Sequence, residues 1–134
     1  MIIRHAEITD FSWLKKNDIY ISEDILRQKI ELKEVYVVQE TEELMGWLRY
    51  NLFWDSIPFM NMLYFLEEYR GKGIGKILVN YWENEMRKRG FKNVLTSTLS
   101  NEEAQHFYRK IGYKEIGGFL YLEDPLEIMF HKKL

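Results

Sequence analysis

The sequence predicts an α/β fold, a mixed sheet covered by helices, and three observations carry that reading. Val35 to Gln39 and Met45 to Phe53 are apolar stretches joined by the acidic turn Glu40-Thr41-Glu42-Glu43, which reads as an antiparallel hairpin. The middle of the chain alternates strand, helix, strand, helix. Two further strand patterns, from about Lys114 to Tyr121 and from about Glu127 to Lys132, follow with Glu123-Asp124-Pro125 between them.

Taken in order, Ile2 to His5 is a short strand candidate. Ile8, Phe11, Trp13 and Leu14 suggest a first helix, and Ile25, Ile30 and Leu32 a second, with an interruption near Asp18 to Ser22. The hairpin comes next, and Trp54 to Pro58 turns the chain into the nearly continuous apolar run Phe59 to Leu66, as expected of a largely buried strand. A third helix starts near Gly73, its apolar spacing running through Ile74, Ile77, Leu78, Tyr81, Trp82 and Met86. Val94 to Thr98 is a strand of alternating character. Ser100 and Glu103 have the spacing of a capping box for the fourth helix, Arg109 and Lys110 suit its negative end, and Gly112 supplies its left-handed stop. No repeat, low-complexity tract or linker divides the chain, and 134 residues suit one domain.

The segment with the most chemical content is Tyr69-Arg70-Gly71-Lys72-Gly73-Ile74-Gly75-Lys76, which sits where the apolar strand ends and the third helix begins. A helix start there aims unpaired N–H groups and the positive end of the dipole at the loop, and glycines let the backbone approach a phosphate. A Walker loop is excluded: Ile77 follows Gly75-Lys76 where Ser or Thr is needed, and position 70 is not Gly. A dinucleotide fingerprint is excluded as well, because its third Gly would fall at Lys76.

The pattern that fits is Arg70-x-x-Gly73-x-Gly75, and a second segment, Asn101-Glu102-Glu103-Ala104-Gln105-His106-Phe107-Tyr108-Arg109-Lys110-Ile111-Gly112-Tyr113, agrees with it. In these two motifs, in their order and in their separation the chain resembles the GNAT (GCN5-related N-acetyltransferase) family, over about residues 60–119. That resemblance implies a mixed, mostly antiparallel central sheet of about six to seven strands flanked by about four helices. It also implies acetyl-CoA as cosubstrate, with no metal. The thioester arm would enter a gap where the central strand and the next one splay apart. Leu63, Tyr64 and Phe65 match the strand positions that contact acetyl and pantetheine, and Asn101 matches the asparagine that touches the pantetheine arm. Arg70, Gly71, Lys72, Gly73, Ile74, Gly75 and Lys76 match the pyrophosphate loop, with Arg70 either orienting that loop or reaching phosphate. Glu67 departs from the family, many of whose members have proline there, which bears on loop stiffness.

Read from the residues alone, Tyr108 is a core aromatic of the fourth helix; the resemblance implies instead that it faces the coenzyme A sulfur. As a hydrogen-bond donor or general acid it would stabilise the departing thiolate. At the acceptor end, an amine with a lysine-like pKa costs about 4.6 kcal/mol to deprotonate at pH 7, so a base is useful. Where related enzymes place a glutamate base, this sequence has Thr96. Asp55, Glu40, Glu123, Asp124, Glu127 and His131 lie in turns or strand ends that could face an acceptor, though each also reads as plain surface, and a water chain to a remote carboxylate is the alternative. Trp47, Tyr50, Phe53 and Trp54 read as packing rather than as an acceptor pocket.

Composition narrows the classes further. With no cysteine, disulfides, thiolate zinc and a cysteine nucleophile are excluded, so acyl transfer proceeds directly to the acceptor or through another nucleophile. A net charge of −2 gives no overall attraction to nucleic acid or an anionic membrane. The start Met-Ile-Ile-Arg-His-Ala-Glu carries no export signal, no apolar run reaches membrane-spanning length, and a cytoplasmic protein is expected. The resemblance implies a primary amine as partner, from a small molecule or from a protein N-terminus or lysine, and the acidic Glu40 to Glu43 cluster suits a cation. The expected state is a monomer or a homodimer, with Leu126, Ile128 and Phe130 as core or interface residues. The competing class is a module that holds acetyl-CoA as a sensor or regulatory subunit without turnover, which the want of an evident base favours and Tyr108 disfavours.

Overall fold

The computed structural model describes all 134 residues. Seven strands form one sheet in the order β1-β2-β3-β4-β5-β7-β6. They are β1 (Ile2–His5), β2 (Val35–Glu40), β3 (Glu43–Phe53), β4 (Ile57–Phe65), β5 (Asn93–Leu99), β6 (Lys114–Phe119) and β7 (Glu127–Lys133). Four helices accompany them: α1 (Phe11–Asn17), α2 (Glu23–Glu31), α3 (Ile74–Lys88) and α4 (Ala104–Lys110). Single 3-10 turns over Ile8–Asp10 and Glu67–Tyr69 precede α1 and the glycine loop. By contact density the chain divides into two compact units, residues 1–50 with 62–78 and residues 51–61 with 79–134.

In the first unit β1 runs antiparallel to β2 and β2 to β3, with Glu40 opposite Glu43 across the expected acidic turn. Ser22 caps α2 by accepting from the Ile25 N–H, and Glu23 and Asp24 complement the positive end of that helix. The buried face of α2 is Leu26 and Ile30, one turn apart, while Ile25 and Leu32 of the expected stripe are exposed. Leu26 and Ile30 join Ala6, Phe11, Leu14, Val35, Val37 and Trp47 in one core cluster. Buried Asp18, just past α1, accepts from Trp47 Nε1 at 3.1 Å and from Arg49 Nε at 2.7 Å. Gly46 on β3 allows the backbone to pass close to β4, since a Cβ there would stand 2.5 Å from both the Tyr64 carbonyl oxygen and the Phe65 ring.

The second unit contains the β3–β4 turn, where Trp54 and Asp55 both take positive φ (54° and 60°) and the Ser56 N–H closes the turn on the Phe53 carbonyl at 3.1 Å. β4 and β5 are parallel, with Phe59 paired to Leu95 and Met60 to Thr96. β7 inserts between β5 and β6, antiparallel to both, and its register against β5 runs unbroken from Asn93↔Lys133 to Leu99↔Glu127. That insertion buries Ile128 and Phe130, which are therefore core residues; only Leu126 of the three named above is exposed. On the α3 stretch of this unit the buried residues are Val79, Trp82, Glu83 and Met86. Tyr81, placed on the apolar stripe by its spacing, is 37% exposed, and the charged Glu83 takes the inner face, for reasons given below. No helix is long and apolar enough to cross a membrane.

Candidate active site

The glycine loop follows β4 and its 3-10 turn, and its glycines are there for conformation rather than for space. Gly71 and Gly73 have φ of 73° and 80°, in the left-handed region where other residues are strained. A Cβ on either would meet nothing within 4 Å, so the backbone stands open to an approaching group. Helix α3 begins at Ile74, as expected, and the Ile77 N–H closes its first turn on the Gly73 carbonyl at 3.4 Å. The loop thus joins open backbone, the N-terminus of a 15-residue helix and the exposed Lys72 and Lys76, an arrangement that fits a pyrophosphate.

Arg70 fixes the loop to the strand before it. Its Nε donates to the Phe65 carbonyl at 2.8 Å, and its guanidinium carbon lies 4.9 Å from the centre of the Tyr64 ring. Tyr64 in turn packs on buried Trp47, ring centres 4.9 Å apart. This favours the orienting role for Arg70 over direct reach to phosphate. Of the three strand residues, Phe65 is buried, Leu63 is half-buried and Tyr64 is exposed at the edge of this stack.

Tyr108 and Asn101 belong to the other part of the reading. Tyr108 is the one buried residue of α4, with its ring against Tyr113 and Phe130 at 5.7 and 6.1 Å. Its hydroxyl lies beside that of Thr96, whose Oγ1 donates to the Met60 carbonyl at 3.0 Å. Burial pushes the Tyr108 hydroxyl up to about 12; the neighbouring Thr96 hydroxyl acts against that rise and the Glu102 charge adds to it. Thr96, singled out in the sequence only as the residue standing in place of a base, is thus a neighbour of the tyrosine hydroxyl. Asn101 is exposed in the turn before α4 rather than on its first turn.

That turn departs from the expected capping box. Helix α4 starts at Ala104, and no side chain caps it. Glu102, not Glu103, makes the local contact, accepting from the Leu99 N–H at 3.1 Å, while Gln105 Nε2 donates to the Ser100 carbonyl at 2.7 Å. A capping box needs helical backbone from its second residue onward, and here residues 101–103 form a turn first. Gly112, at φ 98°, does end the helix as expected.

A pH dependence follows from the raised Tyr108. Between pH about 10, where the unfolded tyrosine ionises, and about 12, the folded chain keeps a proton that the unfolded chain gives up. Stability is therefore whole below pH ~10 and falls as pH rises through this window, by a few kcal/mol in total. Urea unfolding at a series of alkaline pH values checks it; the slope should lessen in Tyr108→Phe without vanishing, because burial and the Glu83 charge raise the Tyr113 hydroxyl as well, and an unchanged slope would contradict the assignment.

The sequence matches the acetyltransferase (GNAT) family over residues 3–113, and the chain belongs to that family. It is 27% identical over 121 residues to an uncharacterized N-acetyltransferase of Chlorobaculum tepidum, the match spanning 85% of this chain and 76% of that one. Its fold superposes on the crystal structure of Ard1 from Thermoplasma volcanium with a TM-score of 0.87, at 14% identity and 99% and 97% coverage of the two chains. It superposes likewise on Naa50 of Arabidopsis thaliana, in complex with the bisubstrate analogue CoA-Ac-MVNAL, with a TM-score of 0.80, at 18% identity and 99% and 98% coverage. The chain is an acyltransferase of the GNAT type.

Proposed function

We propose that this protein is a single-domain N-acetyltransferase that moves the acetyl group of acetyl-CoA directly to a primary amine, on a small molecule or a protein N-terminus or lysine, with Tyr108 as hydrogen-bond donor to the departing thiolate. The observation that carries it is a tyrosine buried on α4, held protonated by its surroundings, in a chain with a glycine loop fit for pyrophosphate. Acetyl-CoA supplies the activated acetyl group. Gly71 through Lys76 hold its pyrophosphate in a loop that Arg70 orients, Leu63, Tyr64 and Phe65 hold its acetyl and pantetheine end, and Asn101 its pantetheine arm.

At a pKa of about 12, full proton transfer from Tyr108 to a thiolate of pKa about 8.5 is uphill by about 5 kcal/mol. Tyr108 therefore works by hydrogen bonding to developing charge rather than by giving up its proton. With no cysteine in the chain, no cysteinyl intermediate can form, and direct attack by the amine is the simpler route. A peptide N-terminus is supported as acceptor by the structural likeness to Naa50, whose bound analogue joins coenzyme A to a peptide.

Calorimetric titration with acetyl-CoA, followed by a panel of amines and peptides with thiol release monitored, tests this function. Binding with release for one acceptor class establishes it; binding without release from any acceptor would favour the sensor. The loop has its own test. Gly73→Ala forces a Cβ-bearing residue into a left-handed conformation costing about 1–2 kcal/mol. It should weaken acetyl-CoA binding about tenfold by calorimetry, and unaltered affinity would remove the loop from the site.

A further inference from the structure

Three polar side chains in the second unit, buried Glu83 and Tyr113 and half-buried Lys132, meet beside Tyr108. Glu83 on α3, 1% exposed, accepts at Oε2 from the Tyr113 hydroxyl at 2.8 Å and at Oε1 from Lys132 Nζ on β7 at 3.0 Å. Lys132 Nζ also donates to the Ile111 carbonyl at 2.8 Å. That carbonyl belongs to the last turn of α4, where helical groups lose their own partners. The lysine stem runs over Gly112, where a Cβ would stand 3.4 Å from Lys132 Cε, so the small residue that ends the helix also leaves room for the lysine.

Each member bears on Tyr108. The Tyr113 N–H donates to the Tyr108 carbonyl at 3.0 Å, and the two rings meet edge to face at 5.7 Å. Lys132 ties down the helix end three residues past Tyr108. A buried ion pair is weak as a source of stability, because apolar residues of the same volume commonly serve as well. What this one supplies is direction: a carboxylate with both oxygens engaged and an ammonium bridging it to one backbone carbonyl allow one placement of the α4 terminus.

We propose that Glu83, Tyr113 and Lys132 form a buried clamp that positions Tyr108 for the acetyl-transfer step. All three are positioning residues, and the inference rests on the role given to Tyr108 above. The clamp accounts for a charged residue on the inner face of α3, which helix periodicity alone does not explain.

The test replaces both charges together, Glu83→Gln with Lys132→Met, so that no unpaired charge is left buried, in the full chain and again in Tyr108→Phe. Thiol release from acetyl-CoA should fall about tenfold in kcat in the first background, with KM for acetyl-CoA within about twofold, and change less than about twofold in the second. An equal fall in both backgrounds, or none in the first, overturns the clamp while leaving Tyr108 its role. Full activity of Tyr108→Phe alone overturns that role and the clamp with it. A second readout needs no acceptor: in fluorotyrosine-labelled protein the Tyr108 fluorine resonance, assigned by its loss in Tyr108→Phe, should shift and broaden in the charge-free pair. An unaltered resonance overturns the clamp even if the chain is otherwise folded.

Discussion

Tyr108→Phe is expected to lower kcat about 10²-fold while leaving the Kd for acetyl-CoA within about twofold, the size expected when one donor to developing negative charge is removed. A hydroxyl at 6% exposure whose ionisation is pushed up to about 12 stays protonated across the working pH range, as the proposed donor role requires. The same rise makes proton transfer unfavourable. The rate should therefore show no descending limb from Tyr108 below pH about 11, in contrast to a tyrosine acting as an acid near its ordinary pKa of about 10. Steady-state rates by thiol release for wild type and variant decide it. Equal kcat for both would remove the hydroxyl from the mechanism and return Tyr108 to plain packing.

Asp18→Ala is expected to produce the largest loss of stability in the chain, about 3–5 kcal/mol. The Asp18 side chain is fully buried and takes hydrogen bonds from Trp47 Nε1, Arg49 Nε and Arg49 Nη2, the last at 3.3 Å. Without it, the nearly buried guanidinium of Arg49 keeps its charge and loses its partner, and the Trp47 N–H loses an acceptor. Thermal unfolding followed by circular dichroism should show the midpoint falling by roughly 10–20 °C. Adding Arg49→Leu should restore much of that loss, because the cost lies in the orphaned charge rather than in the missing pair. A fall below about 1 kcal/mol for Asp18→Ala would mean that water or another group reaches Arg49.

The strand and helix order was legible in the sequence because periodicity and turn chemistry act locally. The acidic turn sets the β2–β3 hairpin, and α3 starts beside Gly73. What escaped sequence reasoning depends on partners distant along the chain. Spacing placed Tyr81 on the inner face of α3, but Glu83 lies there because Tyr113 and Lys132, 30 and 49 residues away, meet its carboxylate. Insertion of β7 between β5 and β6 put Ile128 and Phe130 in the core, which no feature of the closing strands themselves announces. The site divides in the same way. Gly71, Gly73 and Tyr108 are visible as motif residues, whereas the Arg70 contacts with Tyr64 and Phe65 and the placement of Thr96 beside Tyr108 require the fold. The Ser100–Glu103 spacing misled because turn backbone intervenes before α4.

The central claim, direct transfer of acetyl from acetyl-CoA to an amine with Tyr108 assisting, is tested most directly by mass spectrometry of candidate acceptors after incubation with acetyl-CoA bearing an isotope-labelled acetyl group. The account predicts labelled acetyl on a primary amine of the acceptor, appearing about 10²-fold more slowly with Tyr108→Phe. Tight acetyl-CoA binding with no labelled acceptor, or equal labelling by the two proteins, would contradict it.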